Sequence, residues 1–350
     1  MTRVYPAAAA LAVSLFAAAG TTTAGSVVDR LDRFRELVSG RLGAAHVLDD
    51  PAARDTYREV YALLDEEIVE SLNSGGVFAS TAFLQDRLDG FSDAWGGAAA
   101  RIVRLGPLTV GVFQLGERTA GNSVRVYGRL RDEVALLTAT ARDGRPTLFP
   151  LAPGPGGAVQ FLVAWDEAPS GIGARPVRLD VMRQHADGVR VVWSTADIYP
   201  DTLMAREYTV RGSELRVRYQ LRYPGWVPGC EGQTEQEDVL RLTPATGTYT
   251  RVAQRSFDGW HRELRAAATQ LFAAVATSDR RTLTALVPDV KVRERLPRKL
   301  ESEPVCDAPS GTRGEQVAVA ASDGDGAPWT LLFQRDGGRW RVNAALRVIP

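Results

Sequence analysis

The most regular pattern in this chain is a strict alternation of apolar and polar residues between positions 215 and 223. Successive side chains of a strand point to opposite faces, so the alternation predicts a strand with one buried face and one wet face. Shorter alternations occur at 124–126, 177–181 and 189–193. No helical pattern interrupts them, which predicts an antiparallel sandwich or barrel-like region over residues 100–256.

Helical spacing dominates the residues before this region. Apolar side chains three and four positions apart predict amphipathic helices within residues 26–97. Asp50-Pro51 is typical of a helix start, and the run from Asn73 to Gly76 of a helix end. A third helix is expected before Trp95. These helices need an apolar partner, which is either one another or the sheet that follows.

Residues 257–350 change pattern again. Asp258 is expected to cap a helix that carries Trp260, Leu264, Leu271 and Val275, and a short helix is expected at 282–286. Three strands are expected at 316–321, 329–334 and 339–345. Asp336-Gly337-Gly338 predicts a hairpin between the last two strands. The predicted fold class is therefore α+β, with a helical segment, a central antiparallel β region and a C-terminal α+β domain.

The first 24 residues have the three zones of a secretory signal peptide. Arg3 precedes an apolar run from 7 to 20, and small residues follow it for cleavage after Gly20 or Ala24. The run is shorter than the roughly 20 residues that span a bilayer. The prediction is a protein exported to the periplasm or secreted, with no transmembrane segment in the mature chain. The alternative is an ordinary buried N-terminal helix.

Two cysteines are present, Cys230 and Cys306. In an oxidising compartment such a pair is most simply a disulfide. Two free buried thiols, or half of a metal site, are the alternatives.

Charge and motifs exclude several classes of function. The 42 basic and 42 acidic residues balance, so the chain has no overall charge that favours nucleic acid. We find no phosphate-binding loop, dinucleotide fingerprint, zinc-protease motif or serine elbow, and we predict no cofactor, metal or catalytic residue.

The chain has only three histidines. His185 is expected in a hairpin turn, and His46 beside a helix end.

The C-terminal pattern resembles a known superfamily. A helix containing residues 271–275, a short 282–286 segment and a closing hairpin with Trp329 and Trp340 are similar to the nuclear transport factor 2 superfamily. The resemblance covers about 90 residues, within the predicted domain 257–350. It implies a cone of antiparallel sheet around helices with a small-molecule pocket at the open end, and it implies no activity.

Six residues are candidate ligand contacts. His261 and Trp260 begin a helix beside the expected pocket. Trp226 lies in a Pro- and Gly-rich loop before Cys230, where it could be presented to a partner or fold against the sheet. Arg216, Arg218 and Arg222 share one strand face and could bind an anion. Glu235 and Glu237 could instead face these arginines as cross-strand ion pairs, which is the interpretation we favour.

These observations lead to two hypotheses of different classes. The first is a non-catalytic envelope protein that binds a small molecule or an envelope protein through the β region or the C-terminal pocket. The second is an exported hydrolase that uses paired carboxylates, since acidic residues are plentiful and glycoside hydrolysis needs only two of them.

Overall fold

The computed structural model describes residues 29–41, 51–116, 119–171, 173–306 and 314–348. In this part of the chain every strand pairing is antiparallel, and the strands form three sheets accompanied by helices. The α+β class and the antiparallel pairing are thus confirmed. The predicted signal peptide, His46 and Asp50 lie outside the described residues. No helix among those described is long and apolar enough to cross a membrane.

Six α-helices are described, three before the strands begin and three after residue 257. They are α1 (Arg30–Arg41), α2 (Pro51–Ser74), α3 (Thr81–Trp95), α4 (Gly259–Thr277), α5 (Arg280–Leu286) and α6 (Val290–Arg295). Pro51 begins α2 as predicted, because proline suits a first helical turn that needs no N–H donor. The expected cap at Asp258 is wrong. Its backbone is left-handed, with φ 51°, and its side chain makes no capping hydrogen bond.

The first sheet is a four-stranded meander that follows the N-terminal helices. Its strands, in spatial as well as chain order, are β1 (Ala99–Leu105), β2 (Leu108–Gln114), β3 (Asn122–Leu130) and β4 (Glu133–Ala141). One face packs against α1–α3 through a core that includes Phe113 and Tyr127. Asp65 of α2 stabilises the packing of the helices on the sheet, since it accepts hydrogen bonds from Arg125 and from the Tyr127 hydroxyl of β3.

The second sheet has eight strands. They are β5 (Arg145–Pro150), β6 (Gln160–Asp166), β7 (Arg175–His185), β8 (Gly188–Ser194), β9 (Leu203–Arg211), β10 (Glu214–Gln220), β11 (Glu235–Thr243) and β12 (Thr248–Phe257). The spatial order is β12-β11-β10-β9-β7-β6-β5, and β8 also pairs with β7. The sheet curls, so that Trp193 of β8 meets Tyr249 of β12 with ring centroids 5.0 Å apart. Arg183 of β7 further holds the β11–β12 turn by donating to the carbonyls of Pro244 and Ala245.

Two apolar cores lie on the two faces of this curled sheet. Phe161, Val163 and Trp165 point toward the first sheet and pack with Val110 and Val124. The opposite face encloses a second core, to which β6 through β12 all contribute. The first and second sheets thus pack on one another, and the second sheet curls around its own core.

One predicted face is wrong in detail. Val189, Val191 and Trp193 alternate in the sequence and were expected to share a buried face. A β-bulge shifts the β7–β8 register, since Val181 pairs with Trp193 and Met182 with Val191. The extra residue changes the side on which the following side chain points. Val189 consequently faces the first sheet, Trp193 lies in the inner core, and Val191 is exposed.

The third sheet lies at the C-terminus. Its strands, in spatial order, are β13 (Leu300–Ser302), β14 (Gln316–Asp323), β15 (Pro328–Asp336) and β16 (Arg339–Arg347). Helix α4 packs on this sheet. The last three strands and the β15–β16 hairpin are confirmed, whereas β13 and α6 were not predicted. A disulfide joins Cys230 to Cys306, with Cα atoms 5.4 Å apart, and connects the β10–β11 loop to this segment as predicted.

Candidate functional site

A cleft of about 400 Å³ opens where the first and second sheets meet, and we name it the sheet-junction cleft. The β2–β3 connection, the end of β4, strands β6 and β7, and the β8–β9 connection each contribute to it. Its lining includes Thr119, Arg142, Asp143, Trp165, Glu167, Val177, Arg178, Thr195, Tyr199 and Leu203. The volume falls in the range of small-molecule sites, about 300–1,000 Å³.

Apolar side chains from both faces of the second sheet line the cleft, and one of them holds a polar atom without a partner. Trp165 lies on the face toward the first sheet, whereas Val177 and Leu203 belong to the inner core, and all three are buried. Trp165 is only 1% exposed, and nothing among the described residues accepts a hydrogen bond from its indole Nε1. Buried polar groups are nearly always satisfied, so an orphaned donor calls for a physical explanation. The atom is closed off from solvent, so a ligand in the cleft does not reach it in this conformation.

Two arginines on the cleft wall share a single buried carboxylate. Asp180 is 1% exposed and accepts from Arg142 Nε at 2.6 Å and Arg178 Nε at 3.1 Å. Ser194 Oγ donates to the same carboxylate at 2.6 Å. One negative charge thus orients two guanidinium groups, which retain N–H donors beyond the Nε atoms that Asp180 uses. Such a pair is suited to bind the oxygens of a carboxylate.

The rim of the cleft carries the opposite charge. Asp143 and Glu167 both line the cleft and are exposed. Asp143 accepts a hydrogen bond from Thr119 Oγ1 at 2.5 Å, which joins the β2–β3 connection to the end of β4. The cleft consequently has half-buried positive groups on its wall and negative groups at its edge.

Tyr199 links the cleft to the interior of the second sheet. Its hydroxyl donates to the fully buried carboxylate of Asp238 over 2.8 Å. Tyr219 donates to the same oxygen at 3.1 Å, and Arg251 pairs with it at 2.9 Å. Burial raises the pKa of Tyr199, and the negative charge of Asp238 raises it further. The phenol therefore stays protonated and holds its hydrogen bond across the ordinary pH range.

The six residues predicted as ligand contacts lie elsewhere in the structure. Arg218 donates to Glu235 at 2.6 Å, which is the cross-strand pair that the sequence favoured. Arg216 instead pairs with Glu214 of its own strand. Arg222 lies over the Trp226 ring at 5.4 Å and donates to a backbone carbonyl. The arginines therefore do not meet at one point.

Trp260 and His261 occupy the junction between the β10–β11 loop and α4. His261 is 1% exposed, and its Nδ1 lies 2.5 Å from the Tyr223 hydroxyl. Trp260 packs on Trp340 with ring centroids 6.1 Å apart. This arrangement joins the loop, the helix and the third sheet through side chains that are largely buried.

The residues that line the cleft carry no recognisable sequence signal, for a physical reason. Asp180 alternates with apolar residues along 177–181, a pattern that predicts a solvent-exposed face. The first sheet covers that face here, so β7 is buried on both sides and Asp180 lies inside. Arg142 and Arg178 are distant in sequence and meet only through the strand order. No local motif marks them. No cluster of three or more potential metal ligands occurs among the described residues.

Comparisons with known proteins give little further guidance. No protein-family model matches the chain, and no curated protein matches it. Among solved structures, the crystal structure of a GH43_12 retrieved from capybara gut metagenome aligns with 70% of this chain at 8% identity and a TM-score of 0.20. The alignment spans 41% of that chain's length. A TM-score this low carries no argument about fold or function.

Proposed function

We propose that this protein is an exported, non-catalytic binding protein whose sheet-junction cleft takes a small zwitterionic ligand, such as an amino acid or a short peptide. The observation that supports it is the pair Arg142 and Arg178, which line the cleft and are oriented by one buried carboxylate. A few fixed polar groups among apolar lining residues are what a pocket needs to orient a small polar molecule.

The charges of the cleft favour a ligand with two opposite charges. A ligand carboxylate can accept from the two guanidinium groups, and charge-assisted hydrogen bonds of this kind are about twice as strong as neutral ones. A ligand ammonium group is attracted to Asp143 and Glu167 at the rim. A purely anionic ligand would be repelled by the negative charge of Asp143. The zwitterion is therefore the class that fits both ends.

Export and the C-terminal family are further parts of the proposal. The zoned pattern of residues 1–24 supports export, and the Cys230–Cys306 disulfide is compatible with an oxidising compartment. The order α4, α5, α6 and then a four-stranded antiparallel sheet is compatible with a nuclear transport factor 2-like segment. A second partner, such as an envelope protein at the Trp226 loop, belongs to the same proposal.

A hydrolase remains the second candidate, because two carboxylates line one cleft. Asp143 and Glu167 are that pair. A carboxylate hydrolase would consume its ligand and lose turnover in an Asp143→Asn or Glu167→Gln variant. A binding protein would return the ligand unchanged.

The test is a thermal-unfolding screen of the whole protein against the twenty common amino acids and their dipeptides. A ligand that binds only the folded state raises the melting temperature according to its concentration relative to its Kd. Any compound that stabilises the protein is retested as its methyl ester and as its N-acetyl derivative. We expect both modifications to weaken binding, since each removes one of the two charges.

The outcomes separate the candidates. If no amino acid or dipeptide shifts the melting temperature, the proposed ligand class is wrong. Unaltered affinity of the methyl ester would contradict the role of Arg142 and Arg178. Recovery of the intact compound after long incubation supports a binding protein. Cleavage of a glycoside by the wild-type protein that is lost in Asp143→Asn or Glu167→Gln would support the hydrolase.

A further inference from the structure

A second cavity, of about 380 Å³, lies between the tip of the α2–α3 hairpin and the first sheet, and it shares no lining residue with the sheet-junction cleft. Its interior is mostly apolar, with Leu72, Ala79, Leu108, Val134 and Leu137 among the lining residues. In β3, Gly128 has no side chain. A methyl group there would stand 2.8 Å from Leu137 Cδ1 and 2.9 Å from Leu108 Cδ2. Both leucines belong to the core between the first and second sheets, so Gly128 lets that core close against the backbone of β3 beside the cavity.

Two arginines stand at the mouth of this cavity. Arg104 and Arg129 both line it and are exposed. Arg104 donates to the Gly106 carbonyl and to Thr109 Oγ1, both at 3.3 Å. Arg129 donates to the Asp132 carbonyl at 3.3 Å. No carboxylate of the described chain forms an ion pair with either guanidinium group, so both charges are available to an anion.

We propose that this arginine-rimmed cavity binds a fatty acid. The hydrocarbon chain occupies the cavity between α2 and the first sheet, and the carboxylate binds Arg104 and Arg129. The apolar interior takes up the chain through the hydrophobic effect, and guanidinium groups match the geometry of a carboxylate. This inference is independent of the proposed function, since it concerns another site and another ligand class.

The test is displacement of cis-parinaric acid, a fluorescent fatty acid, from the delipidated whole protein. Competitors are octanoate, decanoate and dodecanoate, with dodecanol as the neutral control and dodecyl phosphate as the other anionic head group. Each added methylene is expected to tighten binding by about fourfold until the cavity is filled. Dodecanoate is expected to bind at least about tenfold more tightly than dodecanol, because its charge is paired.

Variants test whether dodecanoate binds in this cavity. Arg104→Gln combined with Arg129→Gln should remove the advantage of dodecanoate over dodecanol, whereas Arg339→Gln, in the exposed β15–β16 turn, should leave it unchanged. Ala79→Trp, and separately Val134→Phe, should fill the cavity and weaken dodecanoate binding about tenfold or more. The two filling variants lie on different elements, so a folding defect in one leaves the other informative.

Several results would overturn the inference. They are no displacement by dodecanoate, equal binding of dodecanoate and dodecanol, or undiminished binding in both filling variants. Tighter binding of dodecyl phosphate than of dodecanoate would overturn the choice of a carboxylate. Arg178→Gln, in the sheet-junction cleft, should leave fatty acid binding unchanged. A failure of the fatty acid proposal can therefore be distinguished from a failure of the proposed amino acid site.

Discussion

The Tyr199 hydroxyl donates to the buried carboxylate of Asp238 over 2.8 Å, and this bond ties the wall of the sheet-junction cleft to the core of the curled sheet. The ring of Tyr199 faces the cleft, while its hydroxyl helps to satisfy a charge that has no access to solvent. The shape of the cleft therefore depends on a polar network inside the neighbouring sheet.

Tyr199→Phe should lower the free energy of unfolding by about 1–3 kcal/mol, because Asp238 loses one of its donors while it stays buried. The measurement is urea unfolding at pH 7 followed by tryptophan fluorescence. Unchanged stability would show that Tyr219 and Arg251 suffice for Asp238, and that Tyr199 contributes nothing to this network.

Tyr249→Phe should act in the opposite direction. The Tyr249 hydroxyl is buried without a hydrogen-bond partner among the described residues, so its removal should stabilise the protein by about 1 kcal/mol at pH 7. This variant is the matched control for Tyr199→Phe, since both lose only a hydroxyl. A loss of stability equal to that of Tyr199→Phe would contradict the distinction between the two tyrosines.

Tyrosine burial should also make the protein unstable at high pH. Burial raises the pKa of Tyr249 from 10.0 to about 12. Between these values the unfolded chain releases a proton that the folded chain keeps, so stability falls as the pH rises from about 10 to 12. The measurement is urea unfolding at several pH values, and Tyr249→Phe should show a shallower decline. An identical decline in the variant would assign the effect to the other buried tyrosines.

Asp180→Asn should destabilise the protein. The change removes the shared carboxylate from two guanidinium groups that are 27% and 40% exposed, so water compensates part of the loss and we expect a cost of about 1–3 kcal/mol. Asp187→Asn is the control, because Asp187 pairs with Arg190 on the exposed β7–β8 turn, where such pairs contribute about 0–1 kcal/mol. Equal effects of the two substitutions on the urea midpoint would contradict the buried role of Asp180.

Removing the disulfide should cost about 4 kcal/mol. Cys230 and Cys306 are 76 positions apart, and in the chain-entropy model a loop of that length stabilises by roughly this amount. The measurement compares urea unfolding of the oxidised protein with that of Cys230→Ser/Cys306→Ser. Mass spectrometry under non-reducing conditions provides the check on the bond itself, and two free thiols in exported protein would contradict it.

The parts of the fold that could be predicted from sequence are those set by local pattern. The alternation of Leu215, Val217 and Tyr219 correctly indicated a half-buried strand, and Pro51 marked a helix start, because period and backbone chemistry are properties of neighbouring residues. The short strand β13 carries too few residues for a period to emerge.

The cleft could not be predicted because it depends on how the sheets pack. Asp180 has the sequence context of a wet strand position, and only the first sheet, packed on that face, makes it buried. Arg142 reaches it from β4 across the sheet junction. The arginines of β10 formed the clearer sequence pattern, and of these Arg218 and Arg216 pair with carboxylates on or next to their own strand.

The central claim is that Arg178 and Arg142 bind the carboxylate of a zwitterion in the sheet-junction cleft. Its most direct measurement is calorimetric titration of the strongest amino acid or dipeptide from the thermal screen into wild-type protein, Arg178→Gln and the control Arg190→Gln. Arg142 and Ser194 still satisfy Asp180 in Arg178→Gln, so the variant should fold. We predict at least about tenfold weaker binding in Arg178→Gln and unchanged binding in Arg190→Gln. Equal affinity in all three proteins would contradict the account.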